Sequence, residues 1–113
     1  MGWMGMERRR HPRVPSRQRC WCQGDDITLY AQMSDLSEGG LSLRMAAHLV
    51  PGSAVRVWLP AAAGSLEMSA RVAWCRDRPG AGGRAGLGIR FEAAGPAAAE
   101  ALRGLLASLR GRP

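Results

Sequence analysis

Residues 32–45 read QMSDLSEGGLSLRM. Met33 is the last member of an apolar series Ile27, Leu29, Ala31, Met33, and Leu41, Leu43 and Met45 leave the stretch with the same period of two. Alternation of this kind marks a half-buried strand, because successive side chains point to opposite faces. Between the two runs sits DLSEGG, residues 35–40, whose Asp, Ser and Gly are turn formers. A hairpin is predicted. A tight turn needs its glycines, but it does not need both Asp35 and Ser37. Either those side chains bond nearby backbone, or the turn holds a ligand.

Outward from this hairpin the same period recurs. Val55, Val57 and Leu59 form one run, Leu66 to Trp74 a longer one, and Leu87, Ile89 and Phe91 a third; a weaker strand is predicted around Cys20 to Gln23. In this parity Trp74 shares the inward face with Val72, and Trp58 takes the opposite face, as a partner-binding patch or under the C-terminal helix. Turn signals fall at GDD (24–26), Pro51-Gly52, Ala61 to Ser65 and Pro79 to Gly83. About six short strands at regular spacing suggest an antiparallel barrel or sandwich. From Pro96 the period changes: Leu102, Leu105, Leu106 and Leu109 stand at i, i+3, i+4 and i+7, which predicts an amphipathic helix with Gly95 as its cap.

A length of 113 residues fits one domain, or one domain with loose ends, and 46% apolar residues predicts a globular chain. No apolar run approaches the ~20 residues that span a bilayer. The N-terminus MGWMGMERRR lacks the apolar core of a secretory signal, so a cytoplasmic protein is expected. The formal charge is +7, and all sixteen basic residues are arginine. Arginine's planar fork matches phosphate and the guanine edge and stacks on flat rings, so an anionic partner is expected. Cys20, Cys22 and Cys75 make no even disulfide framework, and CxC lacks zinc-knuckle spacing; reduced thiols are expected, with no metal. His11 and His48 stand near no nucleophile, and no acid pair is set for proton transfer. These observations point to a binding protein rather than an enzyme.

The front of the chain, ERRRHPRVPSRQR (7–19), carries six arginines, and Pro12 and Pro15 exclude a regular helix there. An extended arm is predicted. R-R-H-P-R, Arg9 to Arg13, fits RxxxR, and D-L-S-E-G-G fits [DN]xSxxG. In this order and separation, on a barrel pattern, the pair resembles the PilZ domain, a family of bacterial receptors for the second messenger cyclic di-GMP. Arg8 before the motif, the late strand LGIRFE (87–92) and the final helix fit the same resemblance, which extends from about Glu7 to Arg110. It implies an all-β-dominated fold, a six-stranded antiparallel PilZ-type β-barrel with a C-terminal α-helix. The implied layout is a flexible N-terminus (1–6), a single domain (7–110) with arm (7–19), barrel (20–92) and helix (96–110), and a tail (111–113).

By the resemblance, Arg9, Arg13, Asp35, Ser37 and Gly40 bind cyclic di-GMP, with Arg8 and Gly39 adjacent. Arg10 and Trp74 are weaker candidates, Trp74 as a wall of the pocket. The chemistry agrees. Guanine O6 and N7 accept two bonds from arginine, and a carboxylate such as Asp35 accepts from guanine N1–H and N2–H. Ser37 can donate to phosphate or hold the turn, and Gly39 and Gly40 would admit positive φ and close approach of the ligand. Arg8 favours a stacked pair of ligands over one. The resemblance further implies a downstream protein partner and no cofactor beyond the ligand. Two other readings stand beside it. One is an interaction adaptor of the same fold that binds no nucleotide, which an internal ion pair at Arg9 or Arg13 would favour. The other is a small basic barrel that binds nucleic acid, marked by exposed aromatic rings.

Overall fold

The computed structural model describes residues 12–45, 48–62, 64–76 and 85–111. Seven strands precede one helix: β1 (Val14–Pro15), β2 (Arg19–Gln23), β3 (Thr28–Leu36), β4 (Gly40–Arg44), β5 (Ala54–Ala61), β6 (Gly64–Arg76), β7 (Gly86–Phe91) and α1 (Pro96–Arg110). Their order is β1-β3-β2-β5-β6-β7-β4, and β4 pairs back onto β3. Strands β2 to β7 therefore close into a six-stranded barrel in which every pairing is antiparallel. Closure leaves no edge strand exposed along the ring. The six alternating runs are these six strands, and their apolar positions fill the interior: Met33, Leu36, Val57, Leu59 and Leu87 are fully buried.

The additional strand comes from the arm. Val14 pairs with Leu36 and Pro15 with Asp35. Strand β2 runs along β3 only between Thr28 and Gln32, so β1 continues the same edge where β2 stops. The join is held by backbone bonds from Ser16 N–H to the Ser34 carbonyl (3.1 Å) and from Met33 N–H to the Gln18 carbonyl (2.8 Å). From Pro12 onward, then, the arm is laid on the barrel.

Two β-bulges change the expected parity. Register shifts between Met33 and Asp35 on β3, and between Val72 and Trp74 on β6. An extra residue in one strand turns everything after it to the other face. On β3 the shift carries Leu36 into the core and leaves Ser34 and Asp35 half-buried. On β6 it turns Trp74 outward, 41% exposed, and corrects its expected inward position.

Helix α1 starts as its sequence implies: Gly95 is an extended N-cap and Pro96 occupies the first turn, where its missing N–H costs nothing. Leu102, Leu106 and Leu109 are buried, and the helix packs on β6 and β1. Arg110 in the last turn complements the helix dipole.

The CWC stretch follows strand parity. Cys20 and Cys22 face the core, 1% exposed each, and Trp21 faces out. None of the three cysteines is in a disulfide, and among the described residues no cluster suits a metal ion. Burial pushes the Cys20 thiol up to about 12, helped by neighbouring Cys22, and burial pushes Cys22 up to about 11. A thiol held neutral in the fold but free to ionise near 9 when unfolded favours the fold below pH 9. That contribution is lost as pH rises from about 9 through 11 and 12. Urea midpoints should therefore fall between neutral pH and pH 10, and fall less in Cys20→Ala/Cys22→Ala than in the parent.

Candidate functional site

The DLSEGG stretch is half strand and half turn. Asp35 is the penultimate residue of β3, paired with Pro15 on one side and Ser42 on the other. The reversal itself is Ser37 to Gly39. Ser37 is 4% exposed, and its Oγ donates to the Gly40 carbonyl (3.3 Å) and accepts from Gly39 N–H (3.1 Å). Its one proton is used inside the turn. Gly39 and Gly40 are not among the positive-φ glycines of the described residues, which are Gly52 and Gly64. A Cβ at Gly40 would lie 2.0 Å from the Ile89 carbonyl oxygen. The glycine is thus demanded by the approach of β7. This packing reason for glycine stands beside the expected one, ligand access. Gly39 joins the same seam through its carbonyl, which accepts from Phe91 N–H at 2.8 Å.

Above this turn Arg13 meets Asp35. Arg13 donates through one guanidinium nitrogen to Oδ1 of Asp35 at 2.6 Å, and both side chains keep about a third of their surface (32% and 27%). The arm's pairing on β3 makes the contact possible, since Pro15 lies directly beside Asp35. The two motif residues converge as expected. They are also paired with each other, the condition that favours the adaptor reading. The bond uses one of arginine's five donors, and a half-exposed pair of this kind holds by about 1 kcal/mol or less. A ligand with better-placed partners can replace it. Arg8, Arg9 and Arg10 lie outside the described residues, as does His11.

From Asp35 a row of outward positions crosses the barrel. Asp35 pairs with Ser42, Ser42 with Gly88, and Gly88 with Trp74. At roughly 4.8 Å per strand the row is about 14 Å long. The indole of Trp74 lies over Gly88: a Cβ there would be 2.2 Å from the indole Nε1. Gly86, one turn of the pleat away, leaves room for the far edge of the same ring, at 3.3 Å. Trp74 therefore lies flat across β7. The Arg76 guanidinium stands 5.7 Å from its ring centroid, a cation–π contact. On the next rows Arg44 and Arg90 are exposed. The face is a shallow strip with a carboxylate and arginine at one end, small residues in the middle and a fixed aromatic plane at the other. Behind Arg13 a cleft of about 750 Å³ opens between the arm and the end of α1, with Arg17 and Arg110 on its walls.

Trp74 was legible as a candidate; Ser42 and Gly88 were not. Their signal is the G-L-G of residues 86–88, two same-face glycines on a strand opposite a tryptophan, which mark a ring lying over bare backbone.

The family model for the PilZ domain matches residues 7–108. The chain belongs to the PilZ domain family. Solved structures agree in fold. The PilZ domain of CeSA from a cellulose-synthesising bacterium superposes with a TM-score of 0.72 at 16% identity, covering 88% of this chain and 98% of that one. The PilZ domain of YcgR from Escherichia coli, solved with c-di-GMP, gives 0.69 at 22% identity, covering 91% and 92%. MrkH of K. pneumonia, solved as a c-di-GMP complex, gives 0.70 at 17% identity; this PilZ chain covers 52% of it, with 93% of its own length matched. Comparison with curated proteins gives no match.

Proposed function

We propose that this PilZ protein is a bacterial receptor for cyclic di-GMP, acting in the cytoplasm with no catalysis by this domain. The observation that carries the reading is the convergence of Arg13 and Asp35 at one end of the strip that ends on Trp74. Two relatives of this fold were solved with the same ligand. Asp35 accepts from a guanine N1–H and N2–H, Arg13 turns from Asp35 to phosphate or guanine O6 and N7, and a base stacks on the outer face of the Trp74 indole by displacing the Arg76 guanidinium that stands over it. Arg8 and Arg9 add ligand-binding guanidinium groups, and Arg10 adds charge. Ser37, Gly39 and Gly40 act by holding the turn that follows Asp35 and the β4–β7 seam next to it.

Exchange of the Arg13–Asp35 bond for ligand contacts gives the receptor its output. The arm carrying Arg13 lies between β3 and α1, so movement of Arg13 reshapes the cleft beside Leu109 and Arg110. A partner protein that reads this surface distinguishes the bound from the empty state.

Calorimetry of the full chain with cyclic di-GMP tests the reading. Saturable heat at micromolar ligand is expected, and Trp74→Ala should weaken affinity about tenfold, the value of one stacked base. Absence of heat at high micromolar ligand overturns it. The Arg13–Asp35 ion pair would then serve the second reading, an adaptor of PilZ fold that binds no nucleotide.

A further inference from the structure

On the β3–β2–β5 side of the barrel, an aromatic ladder crosses three strands. Trp21 on β2 pairs in register with Tyr30 on β3 and with Trp58 on β5. Trp21 is 50% exposed and Tyr30 54%, with Trp58 half-buried beside them. Cross-strand aromatic pairs steady a sheet, and the Trp21 and Tyr30 rings do pack, with centroids 4.7 Å apart. Yet about half of each ring stays in water, and α1 packs on β6 and β1 instead. The next outward row, Arg19, Gln32 and Arg44, runs parallel to the ladder about 7 Å away. Arg17 joins it, its carbonyl accepting from the Gln32 amide at 3.0 Å. Among the described residues none of Arg17, Arg19 and Arg44 has a carboxylate partner.

We propose that this face docks a partner protein through a segment whose apolar side chains are flanked by Asp and Glu. Trp, Tyr and Arg are the residues that anchor protein interfaces, and here they form a flat apolar platform with a cationic rim. Charge complementarity names the occupant. A second copy would set arginine rows of a +7 chain against each other. Single-stranded nucleic acid needs free ring faces for its bases. Here Trp21 and Tyr30 cover one another, and the Arg19 guanidinium stands 5.9 Å from the Tyr30 centroid. Closure of the barrel excludes strand addition, so recognition is through side chains. The aromatic platform is distinct from the ligand-dependent cleft beside Leu109 and Arg110, and docking on it does not depend on nucleotide binding.

The test uses the full chain, with circular dichroism to verify the fold of each variant. The probe is a fluorescein-labelled peptide in which Glu and Asp flank Leu and Phe; controls are its Lys-for-acid counterpart and labelled oligothymidine. The acidic peptide should raise anisotropy and quench tryptophan emission. Trp21→Ala/Tyr30→Ala and, separately, Arg19→Glu should each weaken it at least about tenfold, while cyclic di-GMP heats stay as in the parent. Three results overturn the proposal: no acidic-peptide binding, oligothymidine binding more tightly through the same residues, or a dimer by sedimentation that Trp21→Ala dissolves. Loss of cyclic di-GMP heat in the parent alone refutes the receptor reading and leaves this one standing.

Discussion

Gly40→Ala should unfold the protein or destabilise it by about 4 kcal/mol or more. The added methyl would sit 2.0 Å from the Ile89 carbonyl oxygen, a backbone atom that has no rotamer to escape into. Strands β4 and β7 must part to admit it, and their ladder from Gly40–Arg90 to Leu43–Leu87 closes the barrel. Large losses from single substitutions come from such backbone conflicts. The control is Gly104→Ala. That glycine is inside α1, exposed, with nothing within 4 Å of the position its Cβ would take. Alanine there should raise stability by roughly 1 kcal/mol, since glycine is the poorer helix former. Thermal melts of the pair read both signs. A soluble Gly40→Ala with parental Tm would mean that the β4–β7 approach is not as tight as described.

Asp35→Ala should lower cyclic di-GMP affinity about a hundredfold, on the order of 3 kcal/mol, the value of charge-assisted bonds to a guanine edge. Its melting curve should barely move, because the partly exposed bond to Arg13 holds by about 1 kcal/mol at most. Arg13→Ala should behave alike. The exchanged variant Arg13→Asp/Asp35→Arg separates the roles. It can rebuild the ion pair, but it presents an acid to phosphate and a cation to guanine donors, so affinity should stay lost. Recovery of binding in the exchanged protein would make the pair a structural clasp and remove both residues from the ligand site.

Periodicity was enough to read the strands, because each run's apolar parity survives into the barrel interior. What periodicity cannot show is a single inserted residue. The bulge after Val72 leaves no compositional mark, yet it moves Trp74 from the expected core side to the outer face. The bulge after Met33 likewise aims Asp35 outward and buries Leu36. The [DN]xSxxG stretch was legible as a unit, but its division of labour was not. Asp35 keeps a partly exposed carboxylate paired with Arg13, whereas Ser37 bonds within the turn and Gly40 meets the close approach of β7. That division depends on Ile89, a residue 49 positions from Gly40, which no local reading reaches. The pairing of the arm's described part with β3 depends on where β2 ends, which no local pattern shows. Cys20 and Cys22 gain their meaning only with strand parity. They are core residues whose placement turns Trp21 outward.

The most direct test of the central claim is a titration of isotope-labelled protein with cyclic di-GMP, followed by amide and indole NMR signals. The account predicts shifts at Asp35, Ser42 and Gly88 and at the indole N–H of Trp74, with the indole of Trp21 unmoved. No shifts at saturating ligand, or shifts confined to Trp21 and Tyr30, would contradict it.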